Sequence, residues 1–178
     1  RHLLELHARR TGRDDPAAGS GIDVSGGMWQ QSSGKSGFGD AGTIVLSSGT
    51  VTPSARHEAD LSLAGTLKGY GLSDGKATGH GGKIEITASN VSIGGAALAR
   101  VGELHLDESF FGSGGFASHA IRARDELTVA AGARVKAAPE SLVRGRGTGS
   151  TAPVWTPLRL PDYLRNPGSL TLATLGRV

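Results

Sequence analysis

The sequence contains no cysteine, one methionine and few aromatic residues: two Trp, two Tyr and four Phe among 178 residues. Without cysteine there is neither a disulfide framework nor a thiolate metal site, and no metal or other cofactor is expected. The lack also suits a chain that crosses an oxidising compartment while unfolded. With aromatics at 4%, the core must be built from Leu, Ile, Val and Ala. No apolar run approaches the roughly 18 residues of a membrane-spanning helix, so an integral membrane protein is not expected. Neither sign of charge dominates, the formal net charge being +3. Nucleic-acid binding requires a clustered basic stripe. Only Arg144-Gly145-Arg146 and the stretch around Arg9, Arg10 and Arg13 approach one. Solvated basic loops explain both, and no nucleic-acid partner is expected. An initiator Met and a signal peptide are missing as well. The opening Arg1-His2-Leu3 leads us to expect a fragment or a processed product.

Glycine, by contrast, is abundant, at 29 residues against 7 prolines. Together they make about 20% of the chain, below the roughly 25–30% that marks aperiodic low complexity. Charged residues stand at an ordinary 20%, so the chain is not a disordered tail. Collagen is excluded because no glycine recurs at every third position. Between the glycines, short apolar pairs recur: Leu4/Leu6, Ile22/Val24, Ile44/Leu46, Leu61/Leu63, Ile84/Ile86, Leu104/Leu106 and Leu127/Val129. The step from one pair to the next is roughly 20 residues, the length of a solenoid repeat. A further pair, Leu170/Leu172, lies about two such steps on. Residues i and i+2 of a strand share one face, so each pair reads as a short strand with one buried face. Strands with so few apolar residues cannot form a core alone, but stacked units can. The pattern predicts an all-β fold, a parallel β-helix of roughly 20-residue coils.

Crossover helices for an α/β sheet have nowhere to form, since connections such as Gly69-Tyr70-Gly71-Leu72-Ser73-Asp74-Gly75 cannot hold a helix. An antiparallel sandwich, whose turn signals come at shorter intervals, is the structural competitor. Residues 139–167 break the rhythm with Pro139, Pro153, Pro157, Pro161 and Pro167 and the segment Arg144–Ser150. Proline donates nothing to a ladder, so this segment reads as a Pro/Gly-rich loop excursion, with Trp155, Leu158, Leu160 and Tyr163 available to anchor it. The expected organisation is a partial first coil at 1–15, coils over 16–138, the excursion at 139–167 and a further coil strand at 168–178.

Several motifs invite chemistry. Gly37-Phe38-Gly39-Asp40-Ala41-Gly42 matches a dinucleotide fingerprint, but the motif needs a helix after it and Thr43-Ile44-Val45-Leu46 reads as a strand. Gly71-Leu72-Ser73-Asp74-Gly75 matches a nucleophile elbow, with His80 near, yet again no helix follows. His57, His80 and His105 recur at intervals slightly longer than one coil and are read as surface histidines. The pairs Asp107/Glu108 and Asp125/Glu126 stand one short coil apart, with Arg122 and Arg124 nearby. Carboxylates on adjacent coils are the arrangement of a polysaccharide hydrolase or lyase, which is the alternative function. A third reading is a carbohydrate-binding module in which Trp29 and Trp155 stack sugar rings.

Gly81-Gly82-Lys83-Ile84-Glu85-Ile86 resembles the recurring unit of filamentous-haemagglutinin-like large exoproteins. Phe116-Ala117-Ser118-His119-Ala120-Ile121, followed by Leu127–Val135, is similar to a block of their body region, and Gly168–Leu172 looks like a further coil. The resemblance implies a right-handed parallel β-helix, secreted to the outer cell surface of a Gram-negative bacterium through an outer-membrane transporter partner. It implies a structural stalk or adhesin rather than an enzyme, with a host surface glycan or protein as partner. Within that expectation the excursion carries the candidate binding residues Arg144, Arg146, Trp155, Arg159, Tyr163 and Arg165, because rigid scaffolds bind through their loops and Arg and aromatic side chains anchor interfaces.

Overall fold

The computed structural model describes residues 3–7, 20–48, 61, 63–97, 102–145 and 154–176. The strands are β1 (Leu3–His7), β2 (Gly21–Asp23), β3 (Met28–Gln30), β4 (Ser36–Phe38), β5 (Thr43–Ser47), β6 (Thr66–Lys68) and β7 (Gly71–Ser73). They continue with β8 (Lys83–Ile93), β9 (Glu103–Leu106), β10 (Ser118–Val129), β11 (Ser141–Gly145), β12 (Val154–Leu158) and β13 (Ser169–Thr174). A 3-10 helix, Glu108–Gly112, lies between β9 and β10.

The fold is all-β, and its main sheet is wholly parallel. The strand order is β1-β5-β8-β10-β13, with β9 beside the second half of β8. The register sets Leu4, Ile44, Ile84, His119 and Leu170 in one line across the sheet. Leu6, Leu46, Ile86, Ile121 and Leu172 form the next line. Side chains alternate faces with a period of two, so residues in one register line share a face of the sheet. Ile44, Ile84, Ile86 and Ile121 are fully buried. Further along, Val91 lies between Leu104 and Leu127, and Ile93 between Leu106 and Val129. The 3-10 helix adds Phe111 to this core, and the loop before β10 adds Phe116. Each fully buried Ile or Leu contributes about 1.5–3 kcal/mol relative to exposure.

The opposite face of β8 and β10 is polar. Glu85 receives Lys83 Nζ at 2.6 Å and Arg122 Nη1 at 3.0 Å. These partners hold its carboxyl below the ordinary carboxylate value. Arg124 reaches the Ser48 carbonyl and the Ser47 hydroxyl at the end of β5. Three small sheets flank the main one: β2 with β6 (parallel), β3 with β4 (an antiparallel hairpin), and β12-β11-β7. Two glycines make one connection possible. Gly114 and Gly115 have φ of +69° and +77°, the left-handed region that disfavours a Cβ. The Gly114 carbonyl accepts the Gly69 N–H at 2.7 Å, and a Cβ at Gly115 would run into Tyr70.

The structure departs from three expectations. Partners along the main sheet are not one short coil apart. The steps from Leu4 to Ile44, Ile84, His119 and Leu170 are each nearer two such coils than one. Intervening pairs such as Ile22/Val24 join or adjoin a different sheet, β2–β6. The segment 139–167 is not simply a loop, because β11 and β12 form an antiparallel hairpin inside it. Pro157 sits in β12 without harm, since β12 is the edge strand of its sheet. Val129, an apparent core residue by its alternation, is 44% exposed. β13 pairs with β10 only from Ser118 to Ala123, so among the described residues no strand pairs with the far end of β10 on that side. Among the described residues no helix is long and apolar enough to cross a membrane.

Candidate functional site

The β11–β12 hairpin carries two of the six candidate binding residues, Arg144 and Trp155. β11 runs parallel to β7, with Leu142 opposite the buried Leu72, and this pairing fixes the hairpin to the rest of the chain. β12 returns antiparallel, placing Trp155 directly opposite Arg144. Opposed residues of an antiparallel pair stand about 4.5–5.5 Å apart at Cβ, so a guanidinium and an indole share one face. Arg144 is exposed and Trp155 half-buried. Arg159 follows β12 and is exposed. Leu160, only 4% exposed, is the side chain that pins the segment, whereas Tyr163 stands 84% exposed. The turn after Pro161 is closed by the Leu164 and Arg165 N–H groups donating to the Pro161 carbonyl. Within it Arg165 Nη2 meets Asp162 Oδ1 at 2.6 Å, so this guanidinium is already engaged. Arg146 lies outside the described residues.

The structure therefore brings Arg144 and Trp155 together, leaves Arg159 and Tyr163 exposed beyond them, and turns Arg165 to an internal partner. Val154 and Leu158 are also more than half exposed. With period two they share the face of β12 opposite Trp155. A short edge strand with exposed apolar side chains and an indole, faced by Arg144 on β11 and followed by Arg159, has the composition of an interface core.

Other chemically suggestive residues are placed differently. Ser73 ends β7 as a buried turn residue, donating to the Ala77 carbonyl at 2.9 Å and accepting from the Gly75 N–H at 3.1 Å. Asp74 caps the same turn through the Lys76 and Ala77 N–H groups, which hold its carboxyl below the ordinary value. His80 is turned to Asp40, Nδ1 to Oδ1 at 2.8 Å. No helix follows Ser73, and its hydroxyl is committed to the turn, so no nucleophile elbow exists here. His57 lies outside the described residues. Trp29 packs over Gly37 within the β3–β4 hairpin, where a Cβ on Gly37 would strike the indole.

The two acid pairs do not face each other. Leu106 is in register with Ile93 and so with Val129, which sets Asp107 well beyond Glu126 along the strands. Asp125 falls in the register irregularity of β10, and Glu126 lies opposite Asn90. Sequence reasoning missed a polar ladder beside them. Ser92 Oγ lies 3.0 Å from His105 Nδ1, and His105 Nε2 lies 3.6 Å from Asp107 Oδ1. The residue types are those of a hydrolytic triad, but the hydroxyl sits at the buried end and the carboxylate at the exposed one. Nucleophilic attack needs the reverse. Among the described residues no cluster of three potential metal ligands exists.

Sequence reasoning also missed His119, a fully buried imidazole among Phe110, Phe111 and Phe116. The signal was present as the spacing His119-x-Ile121, which has the phase of every apolar pair. No protein-family model, curated protein or solved structure matches the chain.

Proposed function

We propose that the chain is a section of a right-handed parallel β-helix belonging to a filamentous-haemagglutinin-like exoprotein. It acts as a structural stalk and adhesive surface on the outside of a Gram-negative cell, reached through an outer-membrane transporter. One observation carries this reading: five strands far apart in the sequence align in parallel in one register, with an apolar line running through them. A stack of this kind lengthens by adding strands of similar pattern, which suits a rod. The work of such a rod is done by whatever projects from it. The β11–β12 hairpin supplies that element, presenting Arg144 beside Trp155 with Arg159 exposed after β12. Guanidinium groups and an indole together suit an anionic glycan or an acidic protein surface.

The test is binding of the parent and of the double variant Arg144→Glu/Trp155→Ala to heparin-like glycans at physiological salt. The expected result is binding by the parent, a loss of at least tenfold in the variant, and unchanged far-UV circular dichroism. Equal binding by both, or none by either, removes the hairpin from an adhesive role. Electron microscopy of the full exoprotein addresses the rod separately, and a compact particle would overturn it.

A further inference from the structure

His119 occupies an inward position of β10, in line with Ile44, Ile84 and Leu170. It is 1% exposed, and among the described residues neither ring nitrogen has a hydrogen-bond partner. Three phenyl rings surround it, with centroids 5.9 Å (Phe110), 5.5 Å (Phe111) and 6.2 Å (Phe116) away. Phe110 and Phe111 pack edge to face on each other within the 3-10 helix. A buried polar group normally finds a partner, because leaving one unmade costs stability. Ile fills the equivalent position in β5 and β8 with no such cost. A local rule broken at one position in an otherwise consistent column points to a functional site.

Protonation is the chemistry that distinguishes imidazole from isoleucine here. Among the described residues, the elements packed against the ring offer an imidazolium no counter-charge. On β8, Lys83 and Glu85 pair with each other on the outer face, and Arg122 of β10 joins them there. Arg124 of β10 is turned to Ser47 and Ser48. Glu108 of the 3-10 helix lies beside Gly94. β13 carries no charged residue. Lys68 and Tyr70 line a cleft of about 360 Å³ on the Phe110 and Phe116 side, with no carboxylate among its lining residues.

We propose that the His119 cluster is an acid-sensitive latch, in which protonation of the imidazole breaks its packing and releases the 3-10 helix Glu108–Gly112 and Phe116 from the main sheet. Burial lowers the pKa of His119 from 6.5 to about 4. The closed form therefore binds fewer protons than the open one, and closure weakens as pH falls from 6.5 towards 4. The closing equilibrium drops about 20-fold between pH 7 and pH 5, and approaches a drop of about 200-fold once pH is below 4.

Hydrogen–deuterium exchange of residues 108–117, corrected for the intrinsic pH dependence of exchange, tests the latch in the parent and in His119→Leu. The expected result is a rise in opening of about 20-fold between pH 7 and pH 5 in the parent, little change in residues 43–47, and no rise in the variant. The same rise in both proteins, or no rise in the parent down to pH 4, overturns the proposal. Should His119→Leu fail to fold, the NMR titration of the His119 ring in the parent decides. A midpoint well below 6, accompanied by shifts of the Phe110 and Phe111 resonances, supports the latch. A midpoint near 6.5, or titration without movement of those resonances, refutes it.

Discussion

In the main sheet Ile44, Ile84, Ile86 and Ile121 are wholly removed from water, whereas Val154 and Leu158 of β12 are 53% and 52% exposed and Tyr163 beyond them 84%. Both regions are built from strands with apolar side chains. They differ in what lies on their two sides. β5, β8 and β10 each have strands on both edges, and their inward line meets Phe111, Phe116 and Leu104. β12 has β11 on one edge and, among the described residues, no strand on the other. An uncovered edge with apolar side chains is an aggregation liability that proteins usually blunt. On the hairpin such a surface is what the proposed adhesive role requires, while the apolar residues of the main sheet hold the fold.

The sharpest way to break that distinction is to shorten one side chain in each region. Ile86→Ala removes buried methyl groups from the central line and should cost about 2–5 kcal/mol. Leu158→Ala should stay within about 0.5 kcal/mol, as exposed substitutions do. Equilibrium denaturation of the two variants measures both. Comparable losses would mean that the hairpin belongs to the same cooperative core.

A second variant probes the connection before β10, where Gly114 and Gly115 lie against Gly69 and Tyr70. Gly115→Ala introduces a Cβ at φ +77° and drives it against Tyr70. The backbone strain alone is worth about 1–3 kcal/mol. The loss in thermal stability should be clear but smaller than that of Ile86→Ala. Gly132, with φ +81° and open space around its Cβ direction, supplies the control. A larger loss at Gly132 than at Gly115 would show that contact with Tyr70 contributes nothing.

Much of the main sheet was legible in the sequence, because Ile44/Leu46, Ile84/Ile86 and Leu104/Leu106 recur at i and i+2 and all are buried, with Val45, Glu85 and His105 between them less so. Their partners were not legible. An i, i+2 apolar pair carries the same signature whichever sheet it enters. Ile22 pairs with Leu67 in β2–β6, while Ile44 pairs with Ile84 in the main sheet, so a one-coil rhythm in the sequence concealed a two-coil rhythm in the sheet. The hairpin was hidden for a different reason. Pro157 and the glycines of the segment argue against a strand, yet an edge strand needs no donor on its open side. Arg144 and Trp155 were recognised as residue types, but their pairing across two strands is set by a register that no local pattern encodes. His119 was hidden by its chemistry, since a polar residue in an apolar column reads as surface until the three phenyl rings are placed around it.

The smallest expected effect concerns the polar face of the main sheet, and it separates two sources of acid sensitivity. Glu85 is held by Lys83 and Arg122, and its side chain is 23% exposed. Partly exposed ion pairs of this kind contribute at most about 1 kcal/mol, so Glu85→Gln should lower stability at pH 7 by no more than that. Its lowered pKa fixes the direction with pH. The contribution is present above the unfolded value of 4.5 and is lost as pH falls through the lower folded value. His119 acts in a higher window, between 6.5 and about 4. Stability lost between pH 6.5 and 4.5 should therefore be identical in the parent and in Glu85→Gln. Below 4.5 the two curves should converge, because the parent gives up the interaction that the variant already lacks. Divergence above pH 5 would place an acid-sensitive group on the polar face and weaken the assignment of that window to the buried imidazole.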